Sequence, residues 1–264
     1  MNKHQAQAIL SPAVQGVIRP VPVDDPAMRL FLFHHAGGSH IVYRDWVKHF
    51  PADWEICLLE APGRGRLHRL PLLPTVGELA RSYLRDGADV KPLLDRPFAV
   101  FGHSLGAMAA YEFTRLLRAE GLPQPLWLGV SAVRPPHVGP SAVTHRSHLP
   151  APELKAALLE MGGTSREVLD EPQLWELFEP LLRNDFRAAE EWKTELGLPR
   201  LDVPLSVFGG DADPAVRTEM LDGWERWTDH WLGRTLFPGR HFYFQDDPRP
   251  LIERIVTDIR RVGS

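Results

Sequence analysis

Five short apolar segments, separated by stretches with helical spacing, constrain the fold of this chain most strongly. Each segment is five to eight residues long and lacks the alternation of apolar and polar residues that marks a half-exposed strand, which is typical of strands covered on both faces. The segments lie at 29–33, 55–60, 98–102, 126–133 and 204–210. Between them, apolar residues recur every three or four positions, as in helices with one buried face. Strand and helix therefore alternate, and the sequence predicts an α/β domain with a mainly parallel central sheet flanked by helices.

The two ends of the chain bound one domain. Residues 1–26 contain four prolines among polar and small residues, so we expect a tail there with at most one edge strand. From Pro248 to Val262, apolar residues recur with helical spacing, which predicts a helix that closes the domain. The length of 264 residues fits a single large domain, and we assign it to residues 27–264.

One interval is too long for an ordinary connection between a helix and a strand. No strand pattern lies between Val133 and Val203, whereas such connections usually take about 2 to 6 residues. Two apolar stripes with helical spacing fill the interval, and Gly162 and Gly163 separate them. We therefore predict a helical insertion over about 141–196 that forms a lid above a pocket. Additional packing on the domain is the alternative.

Charge and cysteine content exclude several classes of protein. The 30 Lys and Arg residues do not exceed the 34 Asp and Glu residues, so the chain lacks the basic excess of a nucleic-acid-binding protein. No apolar stretch approaches the roughly 18 to 20 residues that span a membrane, and the N-terminal residues lack the apolar core of a signal peptide. The single cysteine, Cys57, lies in an apolar segment and is expected to be a buried thiol. No HExxH or CxxC pattern is present, so we expect a cytoplasmic protein without a metal site.

A G-x-S-x-G motif follows the third apolar segment. It reads Gly102-His103-Ser104-Leu105-Gly106 and opens a stretch with helical spacing, the context in which such a serine lies on a sharp strand-to-helix turn. Glycines on either side of the serine avoid collisions with neighbouring backbone. The helix N-terminus places partial positive charge near the serine oxygen, where an oxyanion develops. We therefore predict an α/β-hydrolase fold with Ser104 as the nucleophile.

A serine nucleophile needs a base that removes its proton and a carboxylate that orients the base. In α/β-hydrolases these groups follow in the order serine, acid, histidine. The apolar segment at 204–210 is followed by Asp211 and Asp213. We favour Asp213, which lies on the turn that enters the next helix, and keep Asp211 as the alternative. His241, after the last expected strand, is the predicted general base, whereas His230 precedes that strand and is expected at the surface.

The oxyanion requires two backbone amides, one from the residue after the nucleophile and one from the loop after the first core strand. Leu105 supplies the first amide. The sequence HHAGG at 34–38 follows the first core strand, and its glycines permit close approach of the backbone, so we assign the second amide to Ala36. A plain glycine turn or a phosphate-binding loop is the alternative, but neither a P-loop lysine nor the glycine spacing of a dinucleotide site is present.

Five motifs follow one another in a defined order along the chain. They are HHAGG at 34–38, PGRGR at 62–66, GHSLG at 102–106, FGGDADP at 208–214 and GRHF at 239–242. In this order they resemble the type II thioesterases of polyketide and nonribosomal peptide assembly lines, over about Arg29 to Val262. His34 stands where that family usually has proline, and Arg240 where it usually has glycine. Neither departure removes a catalytic group.

The resemblance implies a stand-alone editing enzyme. Such an enzyme hydrolyses acyl thioesters on the phosphopantetheine arm of an acyl carrier protein or peptidyl carrier protein, through an acyl-serine intermediate. Matched onto this sequence, the catalytic residues are Ser104, Asp213 and His241, and the oxyanion amides belong to Ala36 and Leu105. No metal or organic cofactor is implied, and a monomer is expected.

The triad alone does not select thioesters, because esters and amides are hydrolysed by the same groups. A small-molecule carboxylesterase or lipase is therefore the alternative enzyme. A third interpretation is a hydrolase-fold binding module without catalysis, which the intact triad disfavours.

The PGRGR turn leaves a strand at the edge of the sheet where α/β folds place their active sites. Arg64 and Arg66 in this turn are predicted to dock the carrier protein, either by steering its acidic surface or by contacting its phosphate. The alternative is a solvated turn whose arginines bond to nearby carbonyl groups.

Overall fold

A sheet of seven strands lies at the centre of the computed structural model, counted over the residues that the structure describes. These are residues 16–85, 88–139, 145–195 and 197–263. The strands are β1 (Val17–Ile18), β2 (Met28–Phe33), β3 (Trp54–Leu59), β4 (Phe98–His103), β5 (Trp127–Ser131), β6 (Leu205–Gly210) and β7 (Trp231–Phe237). They lie in the order β1-β3-β2-β4-β5-β6-β7, and only the β1–β3 pair is antiparallel. The predicted α/β fold with a mainly parallel sheet is confirmed.

Helices cover both faces of this sheet. In the described parts of the chain the α-helices are α1 (Val76–Ser82), α2 (Leu105–Ala119), α3 (Ala151–Met161), α4 (Arg166–Asp170), α5 (Pro172–Glu191), α6 (Thr218–Leu221) and α7 (Arg249–Val262). Helices α1 and α2 share one apolar core with the sheet, whereas α7 and a 3-10 helix at His40–His49 share the other. Because both faces are covered, β2 to β6 are buried along their whole length, as the lack of polar alternation in their sequences predicts.

The helix ends follow from local sequence. The Thr75 hydroxyl accepts a hydrogen bond from the Glu78 amide at 3.2 Å and caps α1. Pro250 lies in the first turn of α7, where its missing N–H removes no helical hydrogen bond. Within α7, Leu251 and Ile255 are buried against the sheet, and each such side chain contributes about 1.5 to 3 kcal/mol to folding.

The parallel strands bring their loops to one edge of the sheet. Strands β2, β4, β6 and β7 end at Phe33, His103, Gly210 and Phe237. The HHAGG loop, the G-x-S-x-G turn, the two aspartates and His241 follow these ends in that order along the chain. The fold therefore gathers the motifs that the sequence analysis singled out.

The long interval between β5 and β6 contains α3, α4 and α5. Six of their buried apolar side chains form a separate cluster, which comprises Leu154, Leu158, Leu169, Trp175, Leu182 and Phe186, whereas Ala188 near the end of α5 belongs to the core that contains α2. The interval is helical, as the two apolar stripes predict. Residues 141–144 and 196 of the predicted insertion lie outside the described residues.

The predicted tail at 1–26 contains the start of the fold. Val17 and Ile18 are buried and form β1, which pairs with Leu59 and Leu58 at the edge of the sheet. The single edge strand agrees with the prediction, but the domain boundary at residue 27 is too late. The reason is that β1 covers the otherwise unpaired edge of β3. Residues 1–15 lie outside the described part of the chain.

The remaining sequence predictions concern membrane spans, metal binding and the single cysteine. Within the described ranges, no helix combines the length and apolar character needed to cross a membrane. In the same ranges, no three His, Cys, Asp or Glu side chains group so that they could hold a metal ion. Cys57 is buried, and this burial raises the pKa of its thiol, so the thiol stays protonated and packs as an apolar group.

Candidate active site

The turn at Ser104 has a backbone conformation that ordinary residues rarely adopt. Its φ is 55° and its ψ is −120°, a strain of the kind that costs about 1 to 3 kcal/mol. Both neighbouring glycines are required, because a Cβ on Gly102 would lie 2.2 Å from the Gly106 carbonyl oxygen and one on Gly106 would lie 2.2 Å from the Phe33 carbonyl oxygen. The Ser104 amide donates to the Ser131 carbonyl at 2.8 Å. These contacts hold the serine between β4 and the start of α2.

His241 and Asp213 form a buried pair beside this turn. The distance from His241 Nδ1 to Asp213 Oδ2 is 2.8 Å, and their side chains are 3% and 1% exposed. The other carboxylate oxygen accepts hydrogen bonds from the amides of Ala215 and Val216 at 2.7 and 3.3 Å. With Nδ1 donating to the carboxylate, Nε2 carries the lone pair. His241 Nε2 is buried and makes no hydrogen bond to any of the described residues, so no other group of the protein occupies the lone pair with which a general base accepts a proton.

Asp211 and His230, the alternatives for the acid and the base, have other partners. Asp211 is exposed and accepts a hydrogen bond from the Gly239 amide at 2.9 Å, so it ties the loop of His241 to the end of β6. His230 pairs with exposed Asp202 at 2.7 Å and precedes β7, at the opposite end of that strand from His241. The geometry thus favours Asp213 and His241.

Ser104 and His241 line one pocket of about 300 Å³, a volume that includes its mouth. The loops after β2 and β7 contribute His35, Ala36 and Phe242 to its wall. The helical insertion contributes Leu158, Met161, Gly162, Thr164 and Phe186. The space in front of the serine is therefore closed on one side by the domain and on the other by α3, the loop after it and α5.

The two segments assigned to the oxyanion hole lie against each other. Gly106 in the first turn of α2 approaches the Phe33 and His34 carbonyl groups so closely that no side chain fits between them. Ala36 follows in the same loop and lines the pocket. The His35 ring bonds through Nδ1 to the Ala36 carbonyl at 2.9 Å, as a loop-fixing role requires. Leu105 begins α2 directly after the serine, so its amide is at the helix N-terminus.

The two histidines of this loop are uncharged. Burial lowers the pKa of His34 to about 3 and that of His35 to about 4. His34 Nε2 accepts a hydrogen bond from the Ala61 amide at 3.3 Å, and Nδ1 bonds to the His35 carbonyl at 2.9 Å. His34 therefore joins this loop to the segment after β3.

His103 packs behind the catalytic pair. It is fully buried, and its ring centroid lies 5.0 Å from that of His241. Its Nδ1 is 2.9 Å from the Ser131 hydroxyl, which lies 2.7 Å from the Tyr243 hydroxyl. Burial holds the pKa of His103 well below its ordinary value, so the ring is neutral and supports His241 by packing. The sequence analysis did not find this network, because Ser131 and Tyr243 belong to no motif.

Arg64 corrects one of the predictions. It is 7% exposed, and its guanidinium makes two hydrogen bonds to Asp185 of α5, at 2.6 and 2.9 Å. The prediction that Arg64 docks a carrier protein is wrong, because its donors are engaged inside the molecule. Arg66 is exposed, so its docking role stays a prediction. Arg240 is also exposed and pairs with Glu160 at 3.4 Å.

These features define an α/β-hydrolase: a strained serine at the carboxyl edge of a parallel sheet, and a buried imidazole–carboxylate pair on the same pocket. The chain belongs to the thioesterase domain family, whose model matches residues 28–259. This assignment confirms the enzyme class that the five motifs indicate, a hydrolase of thioesters.

Known thioesterases resemble the chain over most of its length. Thioesterase PikA5 of Streptomyces venezuelae is 32% identical over 228 residues, which cover 85% of this chain and 78% of that protein. The structure of YbtT, a type II thioesterase from the yersiniabactin pathway, matches with a TM-score of 0.83 and 30% identity over 94% of this chain and 99% of its own. RedJ, a thioesterase from the prodiginine pathway in Streptomyces coelicolor, matches with a TM-score of 0.81 and 29% identity, over 91% of this chain and 96% of its own. The resemblance to type II thioesterases is confirmed.

Proposed function

We propose that this thioesterase is a stand-alone editing enzyme that removes acyl groups from the phosphopantetheine arm of acyl or peptidyl carrier proteins. The observation that carries the proposal is the joint placement of Ser104 and His241 on one pocket, with Asp213 bonded to the far side of the imidazole. The similarity to YbtT, a type II thioesterase from an NRPS/PKS biosynthetic pathway, supports the substrate class.

In the first half-reaction, Ser104 Oγ attacks the thioester carbonyl carbon while His241 Nε2 takes the hydroxyl proton. The carbonyl oxygen becomes an oxyanion, which the amides of Ala36 and Leu105 stabilise. Asp213 stabilises the imidazolium and fixes its orientation. When the C–S bond breaks, the imidazolium returns its proton to the departing sulfur. The products are an acyl-serine and a free pantetheine thiol.

In the second half-reaction, water replaces the thiol. His241 Nε2 takes a proton from the water as its oxygen attacks the acyl-serine carbonyl carbon. The ester C–O bond then breaks, and His241 returns the proton to Ser104 Oγ. The released product is a carboxylic acid, and the serine is ready for another cycle.

In the first half-reaction the leaving group is a thiolate, which leaves more readily than an alkoxide, so that step demands little proton donation.

We propose that α3 to α5 act as a lid that holds the acyl group. Leu158, Met161 and Phe186 line the pocket opposite Ser104, so they present an apolar wall to an acyl chain. The cluster that joins α3, α4 and α5 is separate from the two cores of the sheet, while Ala188 anchors the end of α5 in the core that contains α2.

Carrier-protein docking at exposed Arg66 is also part of the proposal. Carrier proteins with an acidic surface are attracted by an exposed guanidinium, and Arg66 lies on the turn that follows β3, as the loops of the site follow their own strands. We propose that the enzyme acts in the cytoplasm together with these carriers, and as a monomer, because one chain supplies the serine, the imidazole and the carboxylate.

Mass spectrometry of carrier proteins tests this function. Carriers loaded with different acyl groups are incubated with the enzyme, and we expect conversion to the free-thiol form that Ser104→Ala does not catalyse. A matched pair of small substrates, an acyl-N-acetylcysteamine thioester and the corresponding oxygen ester, measures the leaving-group preference. Faster turnover of the oxygen ester, together with intact acyl-carriers, would favour the carboxylesterase alternative and reject the proposal.

A further inference from the structure

Asp185 connects the helical insertion to the loop that carries Ala36. It lies on α5 and is 2% exposed. Its Oδ2 accepts hydrogen bonds from the Gly37 amide at 2.8 Å and from Arg64 Nη1 at 2.6 Å, and its Oδ1 accepts from Arg64 Nη2 at 2.9 Å. Arg64 Nη1 also donates to the Gly38 carbonyl at 3.2 Å. This buried pair, the Arg64–Asp185 clasp, therefore holds the loop backbone at two points.

Helix α5 also packs on the same loop through apolar contact. A Cβ added at Gly37 would lie 2.5 Å from Leu182 Cδ2 on α5, so the loop and the helix are in close contact, and the φ of +71° at Gly37 favours glycine. Ala36 packs against the core that contains α2 and also against the cluster of α3 to α5. The loop thus lies between the body of the domain and α5, and its position depends on both.

The charges of the clasp make the contact between α5 and the loop directional. Apolar side chains of similar volume often stabilise a buried contact as well as an ion pair does, so burial alone does not explain the charges. Burial by itself raises the pKa of Asp185, but the Arg64 guanidinium overcomes this and holds the pKa below its ordinary value. The carboxylate therefore stays charged, and its hydrogen bond to the Gly37 amide is a strong and directional one.

We propose that Arg64 and Asp185 are positioning residues for the oxyanion hole, so that docking of α5 sets the orientation of the Ala36 amide. This inference rests on the proposed function, which gives that amide its role. The Gly37 amide held by Asp185 belongs to the peptide group directly after Ala36. An oxyanion donor must lie within about 2.7 to 3.1 Å of the developing charge, and a displacement of about 1 Å is enough to slow an enzyme greatly. The hole is complete only while α5 is docked.

Two double variants separate positioning from the stability of the clasp. Arg64→Met/Asp185→Asn and Arg64→Met/Asp185→Leu both remove the two charges, but only asparagine still offers an oxygen to the Gly37 amide. With an acyl-N-acetylcysteamine thioester, we expect kcat of the leucine variant to be about tenfold or more below that of the asparagine variant, since loss of an oxyanion donor costs about 10²- to 10³-fold. KM should differ by less than about threefold, because ground-state contacts are unchanged.

A transition-state analogue gives a second readout. An alkyl trifluoromethyl ketone that captures Ser104 should lose affinity for the leucine variant in parallel with kcat, because its oxyanion needs the same amides. Glu179→Gln is the control on the same helix, since it removes the negative charge only from the partly exposed pair with Arg183, and it should keep the parental kcat.

Equal kcat values and equal inhibitor affinities for the two double variants would overturn the inference. If the leucine variant does not fold, as judged by circular dichroism, Arg64→Met/Asp185→Ala replaces it with the same expectation. Failure of the proposed function is seen in a different measurement, because the parental enzyme would then leave acyl-carriers intact. The ratio of kcat between the two double variants is still measured on the small thioester.

Discussion

Asp213 and Asp185 are both almost fully buried carboxylates that bond to a backbone amide and to a nitrogen-containing side chain. Their side-chain partners differ. Asp213 bonds to His241, and an imidazole can gain and lose a proton near neutral pH. Asp185 bonds to Arg64, and a guanidinium stays charged at every working pH. Both acids are buried, so the difference lies in their partners. The pair of Asp213 with an imidazole is suited to proton transfer, whereas the pair of Asp185 with a guanidinium is suited to fixing the position of the backbone.

The largest effect expected from this comparison is at Asp213. Asp213→Asn should lower kcat by about 10³- to 10⁴-fold, because asparagine cannot hold the imidazole in the tautomer that leaves Nε2 free. The side-chain oxygen of asparagine can still accept the hydrogen bond from the Ala215 amide, so the melting temperature should change little. Steady-state kinetics on an acyl-N-acetylcysteamine thioester and thermal unfolding measure the two quantities. Asp211→Asn is the matched control, and a larger loss of kcat at Asp211 than at Asp213 would reverse the assignment.

Arg64→Met should produce the opposite signature. It leaves the Asp185 carboxylate buried without its cation, and breaking a buried pair in this way costs about 3 to 5 kcal/mol of unfolding free energy. The double variant Arg64→Met/Asp185→Leu should regain much of that loss, because no unpaired charge remains. Urea unfolding of the three proteins measures these differences. An Arg64→Met protein within about 1 kcal/mol of the parent would show that the clasp is not the buried ion pair described above.

Acid should weaken the fold in two stages. His34 and His35 are neutral in the folded state, with pKa values of about 3 and 4 against an ordinary value of 6.5. Their contribution is complete above about pH 6.5 and falls by about 1.4 kcal/mol per pH unit for each histidine as the unfolded chain takes up protons. Asp185 has a lowered pKa, so its contribution is present above its ordinary value of 3.8 and is lost only as the pH falls further.

Urea unfolding at several pH values between 7 and 4.5 measures the first stage. His34→Gln removes one of the titrating rings and should reduce the slope of unfolding free energy against pH. A parental free energy that is constant from pH 7 to 5 would contradict the assignment of neutral buried imidazoles.

The smallest effect is expected at the surface of the PGRGR turn. Arg66→Glu should raise KM for an acyl-carrier substrate several-fold and leave KM for the small thioester unchanged, because exposed charges act mainly on encounter. Arg260→Glu on α7 makes the same change of charge on another part of the surface and serves as the control. An equal rise in KM for both substrates, or an equal effect at Arg260, would argue against docking at Arg66.

The sequence was sufficient for the features whose cause is local. Gly102 and Gly106 flank Ser104 because backbone atoms occupy the space of their missing side chains, and that requirement is written in five consecutive residues. The order of Ser104, Asp213 and His241 follows from the order of the strands. Each of these groups lies directly after a strand end, so a correct reading of the strands locates them all.

The features that escaped prediction depend on contacts between distant segments. Arg64 and Asp185 are 121 residues apart, and the sequence of a polar turn does not reveal that its arginine faces inward. One signal was present: Asp185 lies three residues after Leu182 on the buried side of α5, where an acid needs a partner. The start of the domain ahead of residue 27 was missed for a related reason, since only two residues of the proline-containing segment pair with β3.

Labelling with a fluorophosphonate tests the central claim most directly, because this reagent captures a serine only where a base and an oxyanion hole activate it. Intact-protein and peptide mass spectrometry should find one phosphonyl group, attached to Ser104, and thioester hydrolysis should fall in proportion to labelling. Preincubation with an acyl-carrier substrate should slow the reaction. Complete labelling at another residue, or full activity after Ser104 has been modified, would contradict the account.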